Sequence, residues 1–381
     1  MTGEIIRGLI LCIVILGLQI VSAAEYFVSP SGSEVNDGTE QSPWPTIGFA
    51  MSQIRGGDVV TVLPGTYPEA VVIDVSGPAG QPTVLRSQHK WAALIQNSPS
   101  HGIYVADGIT NILIDGLQVA ASAIDGVKIG SDATVRNCWI HHSSGQGITA
   151  IQTRGVLLER NLIELNGSDP VFDHGIYLSG TNNVVRSCVI RWNKCYGCQF
   201  YADPPYSSAE CQFYNNLVYS NRNGLAVWSA AGQTNYIFNN TLAAGRFVLH
   251  ANGGVLCVSN NILLGRSARW IFSAEDGAEF RADYNVIWAA GRRRGPHDVM
   301  VIDAGVVNPT NGLFWLAAAS PARGAAAGGL APPVDFFGYE QNQALDVGAF
   351  GYRPGLAADR RVLDPSPAMP DYWQTNVLTN P

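Results

Sequence analysis

Charge is scarce in this chain. Only 14% of its 381 residues are Asp, Glu, Lys or Arg, and the formal net charge is −7. A nucleic-acid partner would call for an excess of positive charge, and this balance gives no ground for one. A membrane span is missing as well. The apolar run from Gly8 to Val21 is about 14 residues long, where a span needs about 20. That run follows a short segment ending at Arg7 and precedes the small residues "VSAA", so residues 1–24 read as a signal peptide. Cys12 follows Leu11 rather than a small residue and makes no lipobox. The mature chain is expected to be secreted, periplasmic or at the cell surface, monomeric, and without a membrane span. Long segments with a 3.6-residue apolar period are also lacking, which excludes leucine-rich and helical repeats.

What the chain does have is self-similarity. "HGIYV", "DGVKI", "QGITA", "HGIYL", "YGCQF" and "NGLAV" align on a glycine followed by an apolar residue. The aligned apolar positions are Ile103, Val127, Ile148, Ile176, Cys198 and Leu225, between 21 and 28 residues apart. A second column holds Cys138, Asn161, Cys188, Asn216, Asn240, Asn261 and Asn285. An aliphatic residue lies two positions after each, from Ile140 to Ile287, and a third column lies three before, from Val135 to Ala282. Short period-2 segments between polar corners are strands, and their constant register is that of a coil stacking like on like about 4.8 Å apart. An inward amide at a corner can bind corner backbone groups and the amide of the next turn. The expected fold is all-β: a single-stranded right-handed parallel β-helix with a short N-terminal capping helix. Thr46 caps that helix, which turns Ile47, Ala50, Met51 and Ile54 to one face.

The segments "YFVSPSGSEVNDGTEQSPWPTI" (26–47), "GGDVVTVLPGTY" (56–67) and "LFWLAAASPARGAAAGG" to "LDVGAFGY" resemble the secreted right-handed parallel β-helix repeat proteins, a superfamily that includes pectate-lyase-like enzymes. The resemblance covers nearly all of the mature chain. It implies one β-helix domain over residues 25–352, closed at its far end by a strand at 345–352, and a C-terminal tail at 353–381. It also implies a carbohydrate polymer as substrate. It carries over no catalytic residue. The "DP" at 169–170 lacks the His-acid continuation of alginate epimerases, the paired-Asp and "GHG" signatures of polygalacturonases are absent, and no chondroitinase-type lysine-arginine pattern occurs.

Export permits disulfides, yet none of the cysteines at 138, 188, 198 and 211 has a cysteine on the next turn. They read as small buried hydrophobes. "CYGC" (195–198) has no second pair to complete a zinc site. Two insertions, "NGSDPVFD" (166–173) and "YADPPYSSAE" (201–210), leave the first sheet on opposite sides and are expected to wall a groove.

Alternation turns Tyr104, Lys128, Thr149, Tyr177, Gln199 and Ala226 outward on the groove floor, with Ser179, Tyr201 and Trp228 one step along. Flat amphipathic rings such as Tyr177, Tyr201 and Trp228 suit the faces of sugars. Asp173 and His174 end the first insertion at the corner shared by His101, Asp125, Gln146, Tyr196 and Asn223, a carboxylate beside the imidazole favouring its charged form.

On a uronate polymer, His174 or Tyr177, with Asp173 beside it, would be the base and Lys128 or Arg154 the carboxylate clamp. Gln199, Tyr201, Asp203, Trp228 and Tyr104 would contact substrate, and the outcome is a lyase or a C5-epimerase. On a neutral glycan, two of Asp125, Asp173 and Asp203 would give inverting hydrolysis. A non-catalytic glycan-binding solenoid is the other alternative. Calcium-assisted lyases gather several carboxylates. The floor offers few, so no obligate cofactor is expected and Ca2+ stands as the alternative.

Overall fold

The computed structural model describes residues 23–353 except 203–205, 266–269, 289–293, 310–311, 328–330 and 342–344. All but the last two residues of the expected signal peptide, nearly all of the expected tail, and Asp203 lie outside the described residues.

Three parallel sheets run the length of the coil. The first is built from Val71–Ile73, Ile103–Val105, Val127–Lys128, Ile148–Arg154, Ile176–Thr181, Tyr196–Phe200, Asn223–Trp228, Phe247–Asn252 and Trp270–Glu275, one strand for each of nine turns. Its register joins Ile103, Val127, Ile148, Ile176, Cys198 and Leu225, as expected, and continues to Leu249 and Phe272. The second sheet stacks Val135 through Ala282, and the third stacks Ile140 through Ile287. These columns are buried and form one continuous core.

The corner between second and third sheets explains the asparagines. From the Cys138 turn to the Asn285 turn each begins with a non-glycine residue at positive φ, such as Arg160, Asn215, Asn239 and Asn260 at 53–58°. Such a residue costs on the order of 1 kcal/mol. The aliphatic side chains buried in the same turn each contribute about 1.5–3 kcal/mol, so burial decides the balance. The amide that follows satisfies the corner. Asn240 N–H donates to Asn261 Oδ1 at 2.9 Å and its Nδ2 donates to the same oxygen at 3.0 Å. Asn216 repeats this to Asn240, and Asn261 to Asn285.

A second file runs five residues later, at the corner between third and first sheets. It holds Ser143, Asn166, Asn193 and Asn221, linked through Ser143 N to Asn166, Asn166 Nδ2 to Asn193 and Asn193 Nδ2 to Asn221. The aligned glycines pack against it. A Cβ on Gly175 would lie 2.7 Å from Asn193 Nδ2, which fixes glycine at that point of the motif.

At the N-terminal end the helix Ile47–Gln53 is capped by Thr46 Oγ1, which accepts the Phe49 N–H, and it buries Ile47, Ala50 and Met51, with Ile54 at its C-cap also buried. The expected closing strand at 345–352 is not formed. Gly348 N–H donates to Asn260 O and Ala349 N–H to Thr241 Oγ1, so the segment lies along the flank of the third sheet. The cause is the outward face of that sheet, where Leu217, Ile262 and Val286 are apolar. Val347, Phe350, Phe314, Trp315 and Phe336 cover them in a second apolar cluster.

Candidate functional site on the first sheet

The two insertions stand at opposite edges of the first sheet. In the first, Asp173 Oδ2 accepts the N–H groups of Ser168 at 2.8 Å and Asp169 at 2.6 Å, which folds the loop back on itself. Pro170 O accepts from Arg222 Nη1 at 2.8 Å, so the loop leans along the coil axis. The second insertion returns through Ser208–Ala209, which pairs with Gly180 and Thr181.

Asp173 and His174 direct their hydrogen bonds to different partners. Asp173 is committed to its own loop, and His174 is 3% exposed. His174 Nδ1 accepts the Tyr196 N–H at 3.3 Å, and its side chain is hydrogen-bonded to Gln199. Burial pushes its pKa down to about 4, against the smaller opposing pull of Asp173 and Gln199. The expectation of a favoured imidazolium is therefore overturned, because desolvation outweighs a carboxylate turned elsewhere.

From His101 to His174 the corner column follows one rule. Asp125 N–H donates to His101 Nδ1 at 3.4 Å, Gln146 N–H to Asp125 Oδ1 at 2.8 Å, and His174 N–H to Gln146 Oε1 at 2.5 Å. Each side chain accepts from the backbone of the next turn. His174 is a rung.

The aromatic floor is present. Tyr177 and Tyr201 have ring centroids 5.4 Å apart, Tyr201 and Trp228 5.2 Å, and Tyr206 from the second insertion lies 5.7 Å from Tyr201. Tyr177 is also 5.5 Å from the His174 ring. Gln199 is buried beneath this row, and Ala226 is fully buried. Ser179, expected outward, is buried too, its Oγ accepting the Gln152 N–H at 2.8 Å.

The two expected cations are not brought together. Lys128 Nζ sits 4.9 Å from the centroid of Tyr104, whose hydroxyl donates to Asp107. Arg154 lies past a register shift at Ala150/Thr153, its guanidinium 3.9 Å from Asp132. Of the carboxylates, Asp125 accepts from Gln146 and from Thr149 Oγ1 at 2.9 Å. Asp203 lies outside the described residues. Among the described residues no three His, Cys, Asp or Glu side chains are grouped to hold a metal ion.

The same face holds a constellation that the motif did not reveal. Tyr196 Oη lies 2.6 Å from His250 Nδ1, two turns further on, and His250 Nε2 lies 3.4 Å from Glu275 Oε1. Phe247 stacks on the His250 ring with centroids 4.9 Å apart. Burial lowers the His250 pKa and raises that of Tyr196. His250 occupies the outward column next to Ala226, and Glu275 follows Trp228 and Asn252 along one row. The glycine motif stops short of this turn because Val248 stands where glycine does elsewhere. Extending the register by 24 residues from Leu225 to Leu249 would have found it.

Residues 93–243 match the family model described as right handed beta helix region. Pectate lyase L of Dickeya dadantii (strain 3937) is 24% identical over 140 residues, 32% of this chain and 32% of that protein. Uncharacterized protein YwoF of Bacillus subtilis (strain 168) is 36% identical over 61 residues, 16% of this chain and 13% of its own length. The matches thus span a third or less of those relatives. Among solved structures, pectate lyase Pel9A aligns with a TM-score of 0.60 and 17% identity over 88% of this chain and 98% of its own. XylC in complex with xylose aligns at 0.56 and 11% identity, over 85% and 98%. No helix among the described residues is long and apolar enough to cross a membrane. Nine in-register turns, an asparagine-lined corner and these alignments together make the fold of this chain the right-handed parallel β-helix, of pectate-lyase-like architecture.

Proposed function

We propose that the chain acts on a uronate-containing polysaccharide laid along the outer face of the first sheet, by elimination or C5-epimerisation. The observation that carries this reading is the row Tyr177, Tyr201 and Trp228, whose rings follow one another across three turns where the second insertion begins. Successive rings on successive turns suit a chain of sugar rings, since each aromatic face meets the C–H face of a pyranose. Proton abstraction is favoured over inverting hydrolysis because Asp125 and Asp173 already spend oxygens on backbone and side-chain donors of their own turns. Pel9A and pectate lyase L are pectate lyases and XylC binds xylose, which supports a carbohydrate ligand here. Export to the periplasm or beyond, action as a monomer, and chemistry without an obligate metal belong to the same proposal.

The test is retention and turnover on alginate, polygalacturonate and chondroitin sulfate. Tyr201→Ala and Trp228→Ala should each weaken retention in affinity electrophoresis about tenfold. Unchanged retention in both variants would remove the aromatic row from the reading. Absorbance near 235 nm reports the unsaturated product of elimination, and loss or gain of the C5 configuration is read by proton NMR.

A further inference from the structure

We infer that Tyr196, His250 and Glu275 form the proton relay of this groove, with Tyr196 the group that meets the polymer. The inference rests on the polysaccharide reading above and adds the chemistry to it. Three observations carry it.

The first is geometry. The 2.6 Å contact between Tyr196 Oη and His250 Nδ1 joins residues 54 apart, and the carboxylate of Glu275 lies 3.4 Å from the other ring nitrogen, an ion-pair contact rather than a formed hydrogen bond. With Glu275 at Nε2, the proton-bearing nitrogen faces the carboxylate and Nδ1 is left to accept the phenolic O–H. The second is place. The relay lies on the same outer face as the aromatic row, Glu275 sharing the row of Trp228, and the fully buried Ala226 occupies the outward position of the turn that Tyr196 spans. The third is charge. Arg246 and Arg222 both act electrostatically on the Tyr196 phenol, and both side chains belong to exposed residues. They would supply the cations that Lys128 and Arg154 do not, Arg222 while also donating to Pro170 O.

The chemistry balances without a co-reactant. Tyr196 Oη takes the proton from C5 of a uronate residue as its own phenolic proton passes to His250 Nδ1. The C5–H electron pair becomes the C4–C5 double bond, and the C4–O4 bond breaks with its pair on O4. The proton held by His250 then returns through Tyr196 to O4. One proton leaves carbon and one arrives on oxygen, and the polymer is cut. Epimerisation would differ: the C4–O4 bond stays intact and the C5–H pair rests on the carboxylate as an enolate. A water on the opposite face then protonates C5, its hydroxide taking the proton that His250 holds. Arg246 and Arg222 would face the substrate carboxylate as charge develops on it. Glu275 is a positioning residue, acting through His250.

Tyr196→Phe keeps the ring and deletes the hydroxyl. Turnover should fall at least about a hundredfold, with retention on the same polymer within twofold of wild type. Glu275→Gln, at the exposed end of the relay, should lower kcat about tenfold and leave KM unchanged. A merely structural role would lower the melting temperature and leave kcat of the folded protein intact. Should Tyr196→Phe fail to fold, His250→Gln and Glu275→Gln carry the test. Full turnover by Tyr196→Phe overturns the relay and leaves the groove standing. A wild-type protein that is retained by a polymer yet yields neither the 235 nm product nor a C5 epimer also overturns it. A wild-type protein that neither binds nor converts any of the three polymers removes the groove reading, and the relay falls with it.

Discussion

Replacing Asn240 by alanine tests whether the amide file holds the coil in register. Asn240 is fully buried. Its Oδ1 accepts the Asn216 N–H at 2.9 Å and Asn216 Nδ2 at 3.1 Å, and its Nδ2 donates to Asn261 Oδ1, to Phe213 O at 2.7 Å and to Phe238 O at 3.0 Å. Alanine leaves the Asn216 N–H buried without that acceptor, a cost of about 1–3 kcal/mol, and takes one donor from each of two carbonyls at about 1 kcal/mol apiece. The sum is roughly 3–5 kcal/mol, large against the net stability of an ordinary domain. Equilibrium urea denaturation followed by far-UV circular dichroism would measure it.

The reciprocal change sharpens the test. At Cys188 the file is interrupted: Asn161 Nδ2 donates to Val135 O at 2.8 Å, but on the next turn it meets a thiol, at 3.9 Å, in place of an amide oxygen. Cys188→Asn should restore the missing rung and stabilise the protein by about 1 kcal/mol. A cost below about 1 kcal/mol for Asn240→Ala would refute the reasoning and make the file a consequence of register set by aliphatic stacking alone.

Stability should fall with acid between pH 6.5 and 4. Burial holds the pKa of His174 and His141 at about 4 in the folded chain, so over that window the unfolded state binds more protons and stability rises with pH. Each accounts for up to about 3 kcal/mol. Urea midpoints at pH 4.5 and 7.5 measure the effect, and His174→Gln should flatten the profile; an unaltered slope in that variant would count against a buried neutral His174. The cysteines at 138, 188, 195, 198, 211 and 257 are free thiols, and burial pushes those of Cys138 and Cys188 up to about 12. A thiol reagent at neutral pH should label Cys257 first, because it alone of the six is partly exposed, and dithiothreitol should leave the melting temperature unchanged. Early labelling of Cys138 would show that the corner opens in the native state.

Sequence by itself determined the register. Each turn must offer its neighbours the same contacts, so an inward aliphatic or a corner amide recurs at every step, and the recurrence is readable from Ile103 to Leu225 and from Asn161 to Asn285. The buried fate of Cys138, Cys188, Cys198 and Cys211 follows from their places in those columns. The file of Asn166, Asn193 and Asn221 was readable too, five residues behind the first. What only the tertiary structure decided is where free side chains spend their hydrogen bonds. Asp173 turned to its own loop, His174 became a rung, and residues 345–352 lay down on an apolar flank, because those choices depend on local desolvation and on chain far away in sequence. Tyr196 meets His250 for the same reason. Stacking makes neighbours of residues two turns apart, and a long side chain selects among them by the space a small residue such as Ala226 leaves.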